Sequence, residues 1–253
     1  MHCPRIMMRP KRKRRLPIEN DKLSENGVTA EKTMNTLLHV LEAYTEPYRV
    51  TKDMQTGEAL RFMLDLIADK VYNKELARQE VFFDRSWNTL IDLHSFGHDI
   101  ETSWLADRTC EILEDDNYTA KLKPIIRALA ASVYEKAYRD HSLENEAENS
   151  VVDTTRVWWV QAEAMVGFLN AYENQPDESR YLKAVTDIWD YIKACMIDKR
   201  EGTEWFWSVD QDRQPIHKPI VEPWKCPYHN GRMCLELIKR SQKERLKDVL
   251  GSL

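Results

Sequence analysis

The chain is poor in glycine. Seven glycines occur in 253 residues, about 3%, less than half the typical ~7%. Neither GxGxxG nor GxxxxGK[ST] is present, so the glycine-built phosphate cradles of nucleotide enzymes are missing and no nucleotide cofactor is expected. No Gx[ST]xG elbow occurs, which argues against a hydrolase built on one. No apolar run approaches the length of a membrane span, and the N-terminus has no apolar signal core. Cys3, Cys110, Cys195, Cys226 and Cys234 are odd in number and form no CxxC pair. They read as reduced thiols of a cytoplasmic protein. The net charge of −5 gives no general reason to expect nucleic acid.

Eight tryptophans and a hydrophobic fraction of 42% fit a core of large side chains, a carbohydrate site, or both. Residues 1–20 stand apart. They carry five consecutive basic residues, Lys11 to Arg15, with no apolar period, and read as a disordered basic tail rather than a nuclear-import or nucleic-acid patch. From residue 21 onward the chain reads as one all-α domain. The periodicity predicts helices near 28–45, 57–73, 98–115, 118–137, 155–173, 177–197 and 229–248. SLENEAENSVVD reads as a polar linker. Residues 203–228 read as a short β-hairpin-like excursion and a Pro-rich loop holding Trp224. Tight and long connections alternate, as in paired helices with their loops gathered at one end.

Three histidines have a polar partner one helical turn away. His39 lies between Asn35 and Glu42, His98 precedes Glu101, and His229 precedes Arg232. A lone histidine is usually a surface or satisfied core residue. Three so placed, with Trp104, Trp159 and Trp224 nearby in sequence, point to proton transfer on a sugar. In an ordinary bundle the polar arc carrying His39 would face water; in a barrel of inner and outer helices it would face a cavity. Glu101 would raise the basicity of His98, whereas the start of a helix would lower it. His229 begins the last helix, where free backbone N–H groups and Arg232 suit an oxyanion; a plain helix cap is the alternative. Glu163 lies one turn after Trp159. His94 and His98 form HxxxH, but Gly97 interrupts the spacing and the motif is not HExxH, so no metal is expected. His2, His141 and His217 are given no role. An inverting glycosidase on a helical barrel is compatible with the many carboxylates.

NTLLHVLEAYTEPYRV, SFGHDIETSWL, RVWWVQAEAMVGFLNAYE and WKCPYHNGRMCLE occur in this order. They resemble the cellobiose 2-epimerases of the N-acylglucosamine 2-epimerase superfamily, and the likeness runs from about Asp21 onward. The resemblance implies an (α/α)6 barrel, no metal or other cofactor, and a disaccharide as the only partner. It implies interconversion of cellobiose with glucosylmannose, or lactose with epilactose, at C2 of the reducing-end sugar. By motif, His98 and His229 match the acid/base pair and His39 the third site histidine, with Asn35 a turn before it. Glu101 and Glu163 match carboxylates that orient or activate. Trp104, Trp159 and Trp224 match the sugar-lining residues, and Arg232 a supporting arginine.

Two neighbouring functions remain open from sequence: an N-acylglucosamine epimerase or aldose–ketose isomerase, and a non-catalytic sugar-binding remnant. Seven predicted helices fall short of the twelve of such a barrel. The other five would occupy on the order of 150 residues. The chain therefore reads as the C-terminal portion of an epimerase, with an opened barrel, exposed apolar edges and little activity expected of residues 21–253 alone.

Overall fold

The computed structural model describes residues 27–216, 218–243 and 246. The basic segment 1–20 and His217 lie outside them. Seven α-helices are present among the described residues: α1 (Met34–Thr51), α2 (Met54–Leu66), α3 (Phe96–Leu113), α4 (Asp116–Ala137), α5 (Trp158–Asn174), α6 (Ser179–Tyr191) and α7 (Tyr228–Ser241). None is long and apolar enough to cross a membrane.

The helices follow the sequence pattern with instructive departures. α1 starts six residues later than predicted because Lys32–Thr33 pairs as a short strand with Phe82–Phe83, and Thr33 then caps the helix by accepting from the Thr36 N–H. The two stretches predicted as long helices at 57–73 and 177–197 each finish in a π-helical turn, Ile67–Val71 and Ile192–Met196. The segment read as a polar linker is a hairpin. Its strand Glu146–Glu148 pairs with both Leu93–Ser95 and Val151–Asp153. Asn149 and Ser150 make the turn with positive φ of 48° and 66°, the backbone that two-residue hairpins require. In the 203–228 excursion, Ser208–Val209 pairs with Arg156–Val157, and Val209 bridges back to Pro215.

Burial sorts the helices into two rows. α5 is buried without a break from Val160 to Ala171, as befits a helix with neighbours on all sides. α1, α3, α5 and α7 pack successively on one another, and α2, α4 and α6 pack outside α1, α3 and α5 respectively. Gly167 lets α3 and α5 approach closely: a Cβ there would stand 2.4 Å from Ile100 Cγ1 and 2.8 Å from the Ile100 carbonyl oxygen. The inner helices are parallel. Near their starts the rings of His39 and His229 are 6.4 Å apart. Further along, Thr45 bonds Thr109 at 2.9 Å and Asn170 donates to Asp107 at 2.8 Å. All four inner helices therefore present their N-terminal turns at one end.

Candidate functional site

α3 and α5 emerge directly from short strands, Leu93–Ser95 and Arg156–Val157, and α7 follows Pro227. None of these three helices has a side-chain cap at its start, so their first N–H groups and positive dipole ends are left for the site.

The first turns carry rings. His98 lies 4.7 Å from the Trp159 ring, and Trp159 lies 5.4 Å from His229. A Cβ on Gly97 would meet the Trp159 ring at 2.5 Å, so this glycine makes room for the indole beside His98. Gly97 lies inside α3 and interrupts no helix; His94 stands apart from His98 because it belongs to the preceding strand. His94 Nε2 is engaged by Asp99 at 2.8 Å, and His98 Nδ1 by Ser95 Oγ at 2.7 Å. The two histidines thus serve separate partners. Burial, with the electrostatic influence of the nearby His39 and His229 rings acting in the same sense, pushes His98 down to about 3. It is neutral at ordinary pH with Nε2 left for chemistry. The expected His98–Glu101 pair does not form, because Glu101 turns to Arg232.

The second turns carry charge. Arg232 binds Glu42, Glu101 and Glu163 together, at 2.8 Å for Glu163. The Glu163 Oε1 also accepts from His229 Nδ1 at 2.7 Å, and its Oε2 accepts from Trp104 Nε1 at 3.0 Å. A carboxylate only accepts, so His229 carries its proton on Nδ1 and leaves Nε2 for exchange. Burial raises the Glu163 carboxyl, but Arg232 and His229 outweigh it and hold it below its usual value. Glu101, fully enclosed, is raised by burial and by Glu163 against the pull of Arg232, and its Oε2 has no hydrogen-bond partner. The two adjacent buried carboxyls are therefore shifted in opposite directions, Glu163 down and Glu101 up.

His39 Nδ1 meets Glu42 Oε2 at 3.3 Å. That hydrogen bond raises the His39 pKa despite burial. Burial opposes ionisation of Glu42, yet the His39 bond and Arg232 bring it down to about 2. Tyr228 donates to Glu42 and receives from Arg232 at 2.6 Å.

The structure thus gathers His39, His98, His229, Glu101, Glu163, Trp104, Trp159 and Arg232. Asn35 remains exposed in the first turn of α1. Trp224 is 80% exposed in the loop before α7 and stacks on no ring among the described residues. Glu42, Tyr228 and Ser95 complete the cluster and were not singled out as site residues from sequence. The signals existed: Ser95 precedes His98 by one turn, and Tyr228 adjoins His229. A cavity of about 450 Å³ shares Glu42, Trp104, Tyr228 and Arg232 with the cluster, although no histidine lines it. Glu101, Glu163 and His229 offer ligand atoms within 4.8 Å of one another, a spacing a cation could use. Arg232 already bridges the two carboxylates.

The four parallel inner helices thus gather a histidine–carboxylate–arginine cluster at their starts. The sequence profile of the N-acylglucosamine 2-epimerase (GlcNAc 2-epimerase) family matches residues 6–231, and the chain belongs to that family. It is 47% identical over 239 residues to a cellobiose 2-epimerase of Eubacterium cellulosolvens, covering 88% of this chain and 59% of the relative. The structure of a cellobiose 2-epimerase from Bacillus thermoamylovorans matches with a TM-score of 0.83 at 50% identity, over 87% of this chain and 56% of that one. A sugar epimerase from a ruminal bacterium matches with a TM-score of 0.85 at 44% identity, over 88% and 57%. The chain spans less than three fifths of the length of these relatives.

Proposed function

We propose that the site epimerises the reducing-end sugar of β-1,4-linked disaccharides at C2, converting cellobiose to glucosylmannose and lactose to epilactose. One observation carries this reading. Two imidazoles flank the same indole, one neutral at ordinary pH and one oriented through Nδ1 by a buried carboxylate.

In the open-chain aldehyde, one imidazole Nε2 takes the C2 proton. The C1–C2 double bond forms and charge passes to the C1 oxygen. The other imidazole, entering the step as an imidazolium, gives its Nε2 proton to the opposite face of C2, and the double bond collapses back to the aldehyde. The two rings then exchange protons with solvent to restore the starting state. His98 and His229 exchange roles according to direction. His39, raised by Glu42, and the uncapped starts of α3, α5 and α7 supply positive potential for the enediolate. Arg232 holds Glu163 ionised, and Glu163 fixes the His229 tautomer. Trp159 and Trp224 offer faces for the sugar ring.

Closing the barrel wall calls for more than the four inner helices. α7 leaves Leu235 70% and Ile238 60% exposed, an apolar edge that further barrel helices would cover. The test is incubation with cellobiose in D2O, with the chain alone and mixed with the remaining helices of a relative. Deuterium at C2 and a mannose-type anomeric signal are expected in at least one arm. A ketose product would mark an aldose–ketose isomerase. Neither product in either arm, from folded protein, would mark a non-catalytic remnant.

A further inference from the structure

Lys225 has none of its side chain exposed, although Trp224, Cys226 and Pro227 beside it are exposed. A buried ammonium needs charge and hydrogen-bond partners to persist. Lys225 Nζ binds the Glu204 carboxylate, donates to the Ile220 carbonyl at 3.0 Å, and stands 5.3 Å over the Trp158 ring. Two of these partners lead to the same residue. The second oxygen of Glu204 accepts from Asn230 Nδ2 at 3.0 Å, and Asn230 follows His229. The Trp158 ring meets His229 edge-on at 5.4 Å.

The loop is pinned again one turn earlier. Lys225 and Glu222 exchange backbone hydrogen bonds at 2.9 and 3.2 Å, and the Glu222 carboxylate accepts from Trp207 Nε1 at 2.5 Å. The start of α7 lacks a side-chain cap, so this network ties down what the helix itself leaves loose.

We infer that Lys225 and Glu204 are positioning residues: they clamp the start of α7 and so set His229 for proton transfer on the sugar. This rests on the C2-epimerase reading. Neither residue exchanges a proton with substrate; each acts through Asn230, Trp158 and the loop.

The test uses Lys225→Met, which keeps the length and removes the charge, and Glu204→Gln, which keeps volume and hydrogen bonding. Three readouts are taken: the ring-nitrogen NMR titration of His229, kcat and KM for C2 exchange, and the melting midpoint. In both variants the His229 signals are expected to move and kcat to fall about tenfold at nearly constant KM, since small misplacements of an acid/base group are costly. The melting midpoint is expected to stay within a few degrees. The double variant should be no worse than the poorer single one, because both break one network. A purely structural role would lower melting and the folded fraction while leaving the His229 signals of folded protein in place, and would overturn the clamp. Unchanged His229 signals and kcat in both variants would overturn it too. Should Lys225→Met fail to fold, Glu204→Gln decides alone. If the parent chain exchanges no C2 proton, the epimerase reading fails, and the His229 signals still decide whether the clamp exists.

Discussion

Arg232→Met removes one guanidinium from among three carboxylates. Arg232 is 13% exposed, Glu101 0%, Glu163 1% and Glu42 21%, so little water is at hand to replace it. Breaking a buried ion pair from one side costs about 3–5 kcal/mol. At roughly 2–4 °C per kcal/mol for a domain of this size, the melting point should fall on the order of 10 °C at neutral pH. The loss should depend on pH with a definite sign. Without Arg232, burial and mutual repulsion raise the Glu101 and Glu163 carboxyls above their unfolded values, so the folded variant binds more protons than the unfolded chain. Its stability then declines as pH rises from about 4.5 upward. The gap between variant and parent should be wider at pH 8 than at pH 5. Thermal melts followed by circular dichroism across this range test both points. A loss under about 3 °C, or one that is flat with pH, would refute the three-carboxylate arrangement around Arg232.

Gly167→Ala should drive α3 and α5 apart, because the new methyl meets the Ile100 carbonyl as well as its side chain. A cost of about 2 kcal/mol, read as a lower melting point, is expected, and an unchanged melting point would contradict the close helix crossing. Glu42→Gln should lower the His39 titration midpoint, since the Glu42 hydrogen bond is the main cause of its rise and the burial that opposes it remains. Imidazole NMR checks this, and an unmoved or higher midpoint would show that Glu42 is not the partner. The parent chain, alone or complemented, should place deuterium at C2 of cellobiose, as set out above.

The helices were legible because their apolar periods run over several turns, and even the continuously buried α5 carries enough length to separate it from a strand. Boundaries were less legible. Lys32–Thr33 becomes a strand through a partner about 50 residues away, and Glu146–Glu148 pairs with the distant Leu93–Ser95 as well as with its hairpin neighbour Val151–Asp153; the distant pairings are a signal that local propensity does not contain. The Asn149–Ser150 turn was the one local cue inside the supposed linker. At the site, the histidines, Glu163 and Arg232 stood out by type and spacing, but their pairings did not. Same-helix partners were expected for His98 and His229, whereas the structure binds Glu101 to Arg232 and His229 to Glu163 across helices. Only His39 keeps the partner a turn away, Glu42. Lys225 was invisible as a site element because a lysine in a Pro-rich loop normally lies in water.

The most direct test of the central claim is C2 deuterium exchange by His98→Asn and His229→Asn, in whichever form of the parent protein exchanges. Removing either member of a two-base pair should lower the rate at least about 100-fold, with helical circular dichroism unchanged. If either variant retained more than a few percent of the parent rate, that histidine would not belong to the pair.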